Sequence, residues 1–507
     1  MTAPGTPHLL MHLDSKRTGR QKQEGESLLV ERDLSLVPPV KTFAAQLAED
    51  LKPMDESLDE CTWLYLAWIY LGCAWQAAKL LPSVGAVIIT NMVMYILLSV
   101  TKQADSAAAF GMYLSYNFVF CISVQFALIE KFGQEMSRGY GKKDYIFMRK
   151  TSTQGLIAML FFYICFNLPF LYFADKVLLF ANIDPLIVPL VVKCLRLHVL
   201  VLMIQLPVDL LNAFCMAQGL ESEISRAGIP GCIVSSALQY YLVIHQGYGP
   251  EAFLWGLMAF GLCSLVNVCF TLCKCDPNTV GFLSLKDSLD GLDTFIYDTF
   301  NFLLASIGEF LGSNITHYFI AIRHDTTAMG AFSAKRSYGA IMYRVGVSLS
   351  SICRTRVNIL IGMGKHKTAK NFFNFFWVSN IILGTVVACL GLIFRSQISW
   401  LFANQNEDIK ASFVRMIVVY CLACCIPEIA LSTSLVGIRA VGKVLYQILA
   451  NFLLALSWHI PCCYLMNRHE LEPQWLIVSF AVNLAVLSLF AFQVAQLSDW
   501  SLIKVNK

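Results

Sequence analysis

Charged side chains are scarce in this chain. Asp, Glu, Lys and Arg make up 14% of its 507 residues, against about 25% in ordinary soluble proteins. Long polar stretches are scarcer still: beyond residue 80 the gaps between apolar runs are short, which excludes a sizeable soluble domain. The first 60 residues have no basic start followed by an apolar core and do not read as a cleavable signal peptide. Net charge is only +4, with Lys and Arg scattered among loops, so a nucleic-acid partner is not expected. Eighteen cysteines are present, but most lie inside apolar runs where Cys acts as a small hydrophobe, so neither a metal centre nor a disulfide framework is expected. The glycine-containing loops at Gly139, Gly141, Gly362 and Gly364 follow no strand pattern and lack the spacing of a phosphate loop, which argues against nucleotide binding. His198, His245, His317 and His459 fall in separate apolar runs without an acidic neighbour at helical spacing. A membrane transferase is therefore disfavoured and no enzyme is expected; a non-transporting receptor or scaffold is the other class left open.

What the chain has in abundance is hydrophobic length. Apolar residues are 57% of the sequence and mean hydropathy is +0.60. Runs of about 18 residues or more recur to the C-terminus, the signature of an all-α polytopic membrane protein. Twelve crossings are predicted, at 80–100, 107–129, 155–173, 191–216, 229–244, 252–273, 300–322, 338–352, 372–394, 416–436, 444–465 and 475–492. Residues 1–60 read as a disordered tail. Residues 61–79, rich in Trp and Tyr, read as an interfacial lead-in helix cut off by Lys79 and Pro82. Lys and Arg concentrate in alternate loops, which places both termini in the cytoplasm.

The basic loops also repeat. Gly139-Tyr-Gly141-Lys142-Lys143 and Gly362-Met-Gly364-Lys365-His366-Lys367 are offset by 223 residues, and Pro207 and Pro427, each inside a span, by 220. Two six-span lobes related by an axis along the membrane normal are expected, 80–275 and 299–496, joined by a cytoplasmic linker at 276–298 and ending in a tail at 497–507. Parallel repeats of this kind enclose a central cavity.

The seventh span carries the most informative polar residues. Glu309 lies near the middle of a run long enough to cross a bilayer, with Asn314 further along. An acid at that depth costs roughly 2.5–3.5 kcal/mol on insertion scales and so needs a partner, a proton or a task. Glu428 in the tenth span is the second such acid. Arg344 and Arg415 are candidate ion-pair partners for either; Arg344 could instead point into the cavity and fork onto a carboxylate or phosphate. Asp209, with Lys193 and Arg196, is a polar set in the fourth span, the two cations being expected at the interface. Phe302, Phe310, Tyr318, Tyr338 and Tyr343 could stack on a cation or simply pack.

Several stretches taken together resemble the multidrug and toxic compound extrusion (MATE) family, in its eukaryotic form. The run from Arg356-Val-Asn to Gly362-Met-Gly364 and on to Ala369-Lys370 is similar to the loop after that family's eighth helix, R-V-G-N-x-L-G-A-G followed by A-R or A-K. Ser137-Arg-Gly139-Tyr-Gly141 with Tyr145 resembles its S-Q-x-Y-G-x-x-x-Y loop. Ile307-Gly-Glu309-Phe310 looks like its seventh helix, and Pro427-Glu428 followed by Gly437-Ile-Arg439-Ala-Val-Gly442 like its tenth helix and exit turn. The resemblance implies a twelve-helix, two-lobed, monomeric transporter expelling organic cations or other amphipathic compounds in exchange for protons or sodium, with no cofactor. It implies Glu309 and Glu428 as coupling residues and Gly139, Gly141, Arg356, Gly362, Gly364, Gly437, Arg439 and Gly442 as structural loop positions; the residues themselves add Asn314 and Arg344 beside the two acids, and Asp209, Phe310, Tyr338 and Tyr343 as secondary cavity candidates. The chain departs from the pattern at Asn314 and Ser337, where drug-exporting relatives carry acids, and in a first span without any acid. Those departures and Arg344 favour an organic-anion or lipid-linked substrate as the alternative.

Overall fold

A computed structural model describes residues 43–55, 63–101, 104–117, 121–180, 187–321, 326–403 and 407–503. The chain divides into two units, 1–49 and 50–507. In the first, the described residues belong to a short helix, Phe43–Asp50; a 3-10 turn, Lys52–Asp55, opens the second. Residues 43–55 were expected in a disordered tail and are helical; the remainder of that tail lies outside the described residues.

Twelve long helices follow. They are α1 (Trp63–Val100), α2 (Ala104–Asn117 and Ser123–Lys142), α3 (Tyr145–Phe162 with Leu168–Phe180), α4 (Val188–Ala217), α5 (Glu221–His245) and α6 (Ala252–Leu272). The second half holds α7 (Leu292–Ala321), α8 (Thr326–Gly362), α9 (His366–Ile393), α10 (Glu407–Ala440), α11 (Val444–Arg468) and α12 (Gln474–Leu497). Seven of them are long and apolar enough to cross a membrane by length and composition, and the bent α3 pair makes an eighth. Among the others, α7 and α8 are diluted by the polar residues that build the site.

Three boundaries differ from the sequence expectation. The lead-in segment and the first span are one continuous helix, α1, because Lys79 and Pro82 do not interrupt it. Its first half packs on the C-terminal lobe: the Tyr70 ring lies 5.4 Å from that of Phe376, and its hydroxyl donates to Asn380 Oδ1 at 3.1 Å. The segment expected as an interfacial helix is therefore a strut. Helix α8 begins twelve residues before the predicted 338, carrying Lys335 and Arg336 into the protein rather than leaving them in a loop. In the linker, α7 already begins at Leu292.

Two separate apolar cores define the lobes. One gathers Phe110, Tyr113, Leu195, Phe253 and their neighbours from the first half; the other gathers Phe332, Phe413, Tyr420, Leu476 and Leu487 from the second. Outward, Trp68, Leu200, Ile233, Phe270, Ile382, Leu422 and Leu453 are exposed, the apolar belt that lipid would cover. Helix α10 carries Pro427, whose missing N–H disrupts the helical ladder; the wide π-turn Tyr420–Cys424 just before it absorbs the mismatch.

The lobes meet at the basic-loop end in a seam with two-fold internal symmetry. A Cβ on Gly141 would lie 2.2 Å from Ile359 O, and one on Gly362 would lie 2.2 Å from Arg138 O. Only glycine lets these backbones approach so closely. The two contacts are the same contact repeated: positions 141 and 362, and positions 138 and 359, both differ by 221. The left-handed turn residues Lys143 (φ 60°) and Gly364 (φ 77°) differ by 221 as well. The repeat is thus real but shifted by two from the register read in the sequence: Gly141 corresponds to Gly362, not Gly139. Gly139 instead abuts the side chains of Phe147 and Met148. The same symmetry places α1 on α8 and α7 on α2.

Candidate functional site

A cavity of about 190 Å³ lies between the lobes, lined mainly from α2, α4, α7, α8 and α10, with Leu80 of α1 and Ile224 of α5. Its walls hold three carboxylates, Glu130, Asp209 and Glu309, and three guanidiniums, Arg344, Arg354 and Arg439. Four of these six form one chain of ion pairs. Glu309 Oε1 accepts from the Tyr343 hydroxyl at 2.9 Å, and Glu309 Oε2 from Arg439 Nη2 at 3.3 Å. Arg439 Nη1 also pairs with Glu130 Oε2, whose other oxygen takes Arg354 Nη1 at 2.7 Å. Arg439 Nε is held by Gln447 Oε1 at 3.1 Å, so the guanidinium is fixed on all sides.

Arg344 stands apart from this chain. It lines the cavity, lies 5.8 Å from the Phe126 ring centroid, and makes no side-chain hydrogen bond or ion pair among the described residues. Asp209 is on the same wall system and accepts a hydrogen bond from Gln125 Nε2. Phe126, Phe310 and Tyr343 form an aromatic face, with Phe310 centroids 5.9 Å from Phe126 and 6.4 Å from Tyr343. A planar or elongated apolar group could lie along that face with an acidic group directed to Arg344.

Of the residues singled out in the sequence, Glu309, Arg344, Asp209, Phe310 and Tyr343 share this cavity. Glu428 and Tyr338 do not. Glu428 accepts from the Tyr420 hydroxyl inside the C-terminal lobe, and Tyr338 packs on Tyr420 at 5.9 Å. Asn314 sits toward the far end of α7, where Arg336 Nη2 donates to its Oδ1 at 3.3 Å. Neither expected cation pairs with the acids: Arg344 makes no ion pair among the described residues, and Arg415 lies with Glu472 at 3.3 Å on an exposed face. Arg439, expected as a loop-structural residue, is the true partner of Glu309. Ser337 turns back onto its own helix at Ser333 O. Arg356 braces α8 against α1 through Cys73 Sγ (2.9 Å) and Gln76 Oε1. Gly437 admits the Phe373 ring, while Gly442 (φ 73°) and Gly364 supply left-handed turns. Lys193 pairs with Glu251 at 2.6 Å and is itself exposed.

The residues that sequence reasoning passed over are Glu130, Arg354, Lys335 and Arg336. Glu130 and Arg354 fell just outside the predicted spans. Arg336 closes the end opposite the glycine seam: its guanidinium reaches Ser115 of α2 and lies 3.0 Å from His317 Nδ1, and Ser115 Oγ is 2.5 Å from the same nitrogen. At the seam end, Arg138 of α2 donates to Asn358 Oδ1 at 3.0 Å and to Ala440 O at 2.8 Å, and Gln134 to Arg439 O at 3.1 Å. The cavity is therefore bounded by lobe-to-lobe contacts at both ends.

Residues 302–465 match the family model MatE. This part of the chain is a MatE domain. Solved structures extend the likeness to the whole MATE transporter fold. A eukaryotic MATE transporter, AtDTX14, superposes with a TM-score of 0.74 at 17% identity, covering 85% of this chain and 97% of that one. A MOP superfamily transporter from Pyrococcus furiosus, described as having a binding pocket of reverse polarity that suggests a different function, superposes at 0.69 with 12% identity, over 83% and 95%. A Vibrio cholerae MATE transporter, VcmN, gives 0.70 at 12% identity, over 89% and 97%. No curated protein matches the sequence. The MatE domain contributes Glu309, Arg344, Arg354, Arg439 and Glu428; the preceding half of the MATE fold contributes Glu130 and Asp209.

Proposed function

We propose that this protein is a secondary active exporter that works by alternating access between its two lobes, moving an amphipathic compound with an acidic group in exchange for protons or sodium. One observation carries the choice of substrate class. In their ordinary ionised forms the cavity's three carboxylates and three guanidiniums cancel, the two acids Glu130 and Glu309 are already committed to guanidiniums, and Arg344 is the cavity cation without an ion pair among the described residues. At Glu309 a plain organic cation would have to displace Arg439, which leaves it Asp209, held by Gln125; a carboxylate or phosphate would meet the Arg344 guanidinium beside an aromatic face. Export of organic cations, drugs or other xenobiotics remains the second reading, favoured by Glu309 at the bottom of the same cavity. In either case the protein works as a single copy with both termini in the cytoplasm, in the plasma membrane or an acidic internal compartment.

The test is uptake into inside-out vesicles under an imposed pH gradient, comparing a fluorescent organic anion with a fluorescent organic cation. Anion uptake above cation uptake is expected. Arg344→Ala removes charge-assisted hydrogen bonds worth about 1.5–3 kcal/mol, and should weaken apparent affinity for the anion roughly ten- to hundred-fold. Uptake of the cation alone, abolished by Glu309→Gln, would instead establish the second reading.

A further inference from the structure

Lys335 lies one residue before Arg336 on α8, and successive helical residues point about 100° apart. Arg336 turns to Asn314, His317 and Ser115 at the lobe boundary. Lys335 turns into the C-terminal lobe instead and is only 6% exposed. Its ammonium lies 4.7 Å from the Tyr420 ring centroid, 5.4 Å from Phe332 and 5.8 Å from Phe480. It makes no hydrogen bond or ion pair among the described residues. Burying an ammonium is costly unless something compensates, and three ring faces do so. Behind them sits a counter-charge: the Tyr420 hydroxyl donates to Glu428, and the Cys424 thiol, Glu428 and Arg336 are titratable neighbours of Lys335 among the described residues.

We propose that Lys335 is a tethered cation, filling a monovalent-cation subsite built by Phe332, Tyr420, Phe480 and Glu428 that a mobile ion would otherwise enter. The chemistry of the walls sets what the subsite takes. Ring faces attract an ammonium carried on an alkyl stem, whose methylenes pack where its charge is held. Sodium gives up its water only for a shell of several oxygens, and the oxygens of this cage, the Glu428 carboxylate and the Tyr420 hydroxyl, are already hydrogen-bonded to each other. The chain thus supplies its own counter-ion to Glu428, and the consequence for transport, which rests on the exporter reading, is that coupling at this lobe does not use sodium.

The binding test uses the purified full chain in detergent and follows thermal unfolding with n-propylammonium, sodium or choline chloride. Lys335→Ala empties the cage, and n-propylammonium should raise its Tm by about 2 °C or more, with sodium and choline inert. The natural protein and Lys335→Met, which refills the cage with an uncharged chain of similar length, should not respond. Equal stabilisation of the natural protein, or no response of a folded Lys335→Ala variant, would overturn the proposal. A second measurement needs no variant: vesicles of the natural protein should move substrate equally fast in sodium and in choline, and sodium-stimulated flux would also overturn it. The binding result decides the subsite by itself, whereas absence of any flux sinks the exporter reading alone.

Discussion

Gly141→Ala and Gly362→Ala are each expected to slow export by roughly ten-fold or more while leaving the amount of folded protein nearly unchanged. Each would place a methyl 2.2 Å from a backbone oxygen of the opposite lobe, and a backbone atom cannot rotate away as a side chain can. Overpacking of this kind costs about 1–3 kcal/mol. Here the cost falls on one conformation only, because the contact joins the two lobes and vanishes when they part. The two cores that hold each lobe together are untouched. The equilibrium should shift toward opening at the seam by about ten- to hundred-fold. Labelling of a cysteine placed at the seam reports that shift directly. Unchanged labelling together with unchanged export would show that the lobes do not separate there.

Arg439→Gln is expected to be the most damaging single change within the cavity. Its guanidinium joins Glu130 to Glu309, so its loss leaves Glu309 without its ion pair and Glu130 with Arg354 alone. Removing one partner of a buried pair costs about 3–5 kcal/mol, because the other charge is left uncompensated. Glu309→Gln alone should be milder: Arg439 keeps Glu130, and the Tyr343 hydroxyl keeps an acceptor. The double variant Arg439→Gln with Glu309→Gln should recover part of the loss, since one stranded charge is gone. Unfolding midpoints of the four proteins close a double-mutant cycle. Strict additivity would mean that the 3.3 Å contact between Arg439 and Glu309 carries no energy.

The sequence was most legible where the bilayer imposes the rules. Backbone groups in lipid must be satisfied inside their own helix, so an apolar run of sufficient length has one outcome. Among the described residues, each of the twelve predicted crossings falls on helix, and the repeat of the basic loops foretold the lobes. Glu309 was legible for the same reason: an acid in such a run is conspicuous. Legibility failed at helix ends. Lys335 and Arg336 look like loop cations because hydropathy falls there, yet α8 continues through them and burial is provided by Ser115, His317 and the aromatic cage of the other helices. Lys79 and Pro82 look like a break, yet α1 runs on because α8 and α9 receive its first half.

What the sequence determined by itself is the class of molecule: a twelve-helix membrane protein in two related halves, with buried acids at Glu309 and Glu428. Which cation answers which acid was decided by the tertiary structure alone. Arg439, 130 residues beyond Glu309, reaches it, whereas Arg344, much nearer in the chain, remains in the cavity without an ion pair. Charges on different helices pair according to how the helices rotate and cross, and that depends on packing along the whole lobe interface. The two-residue shift in the repeat has the same origin, since two glycines are equivalent by the backbone they touch rather than by their neighbours in sequence.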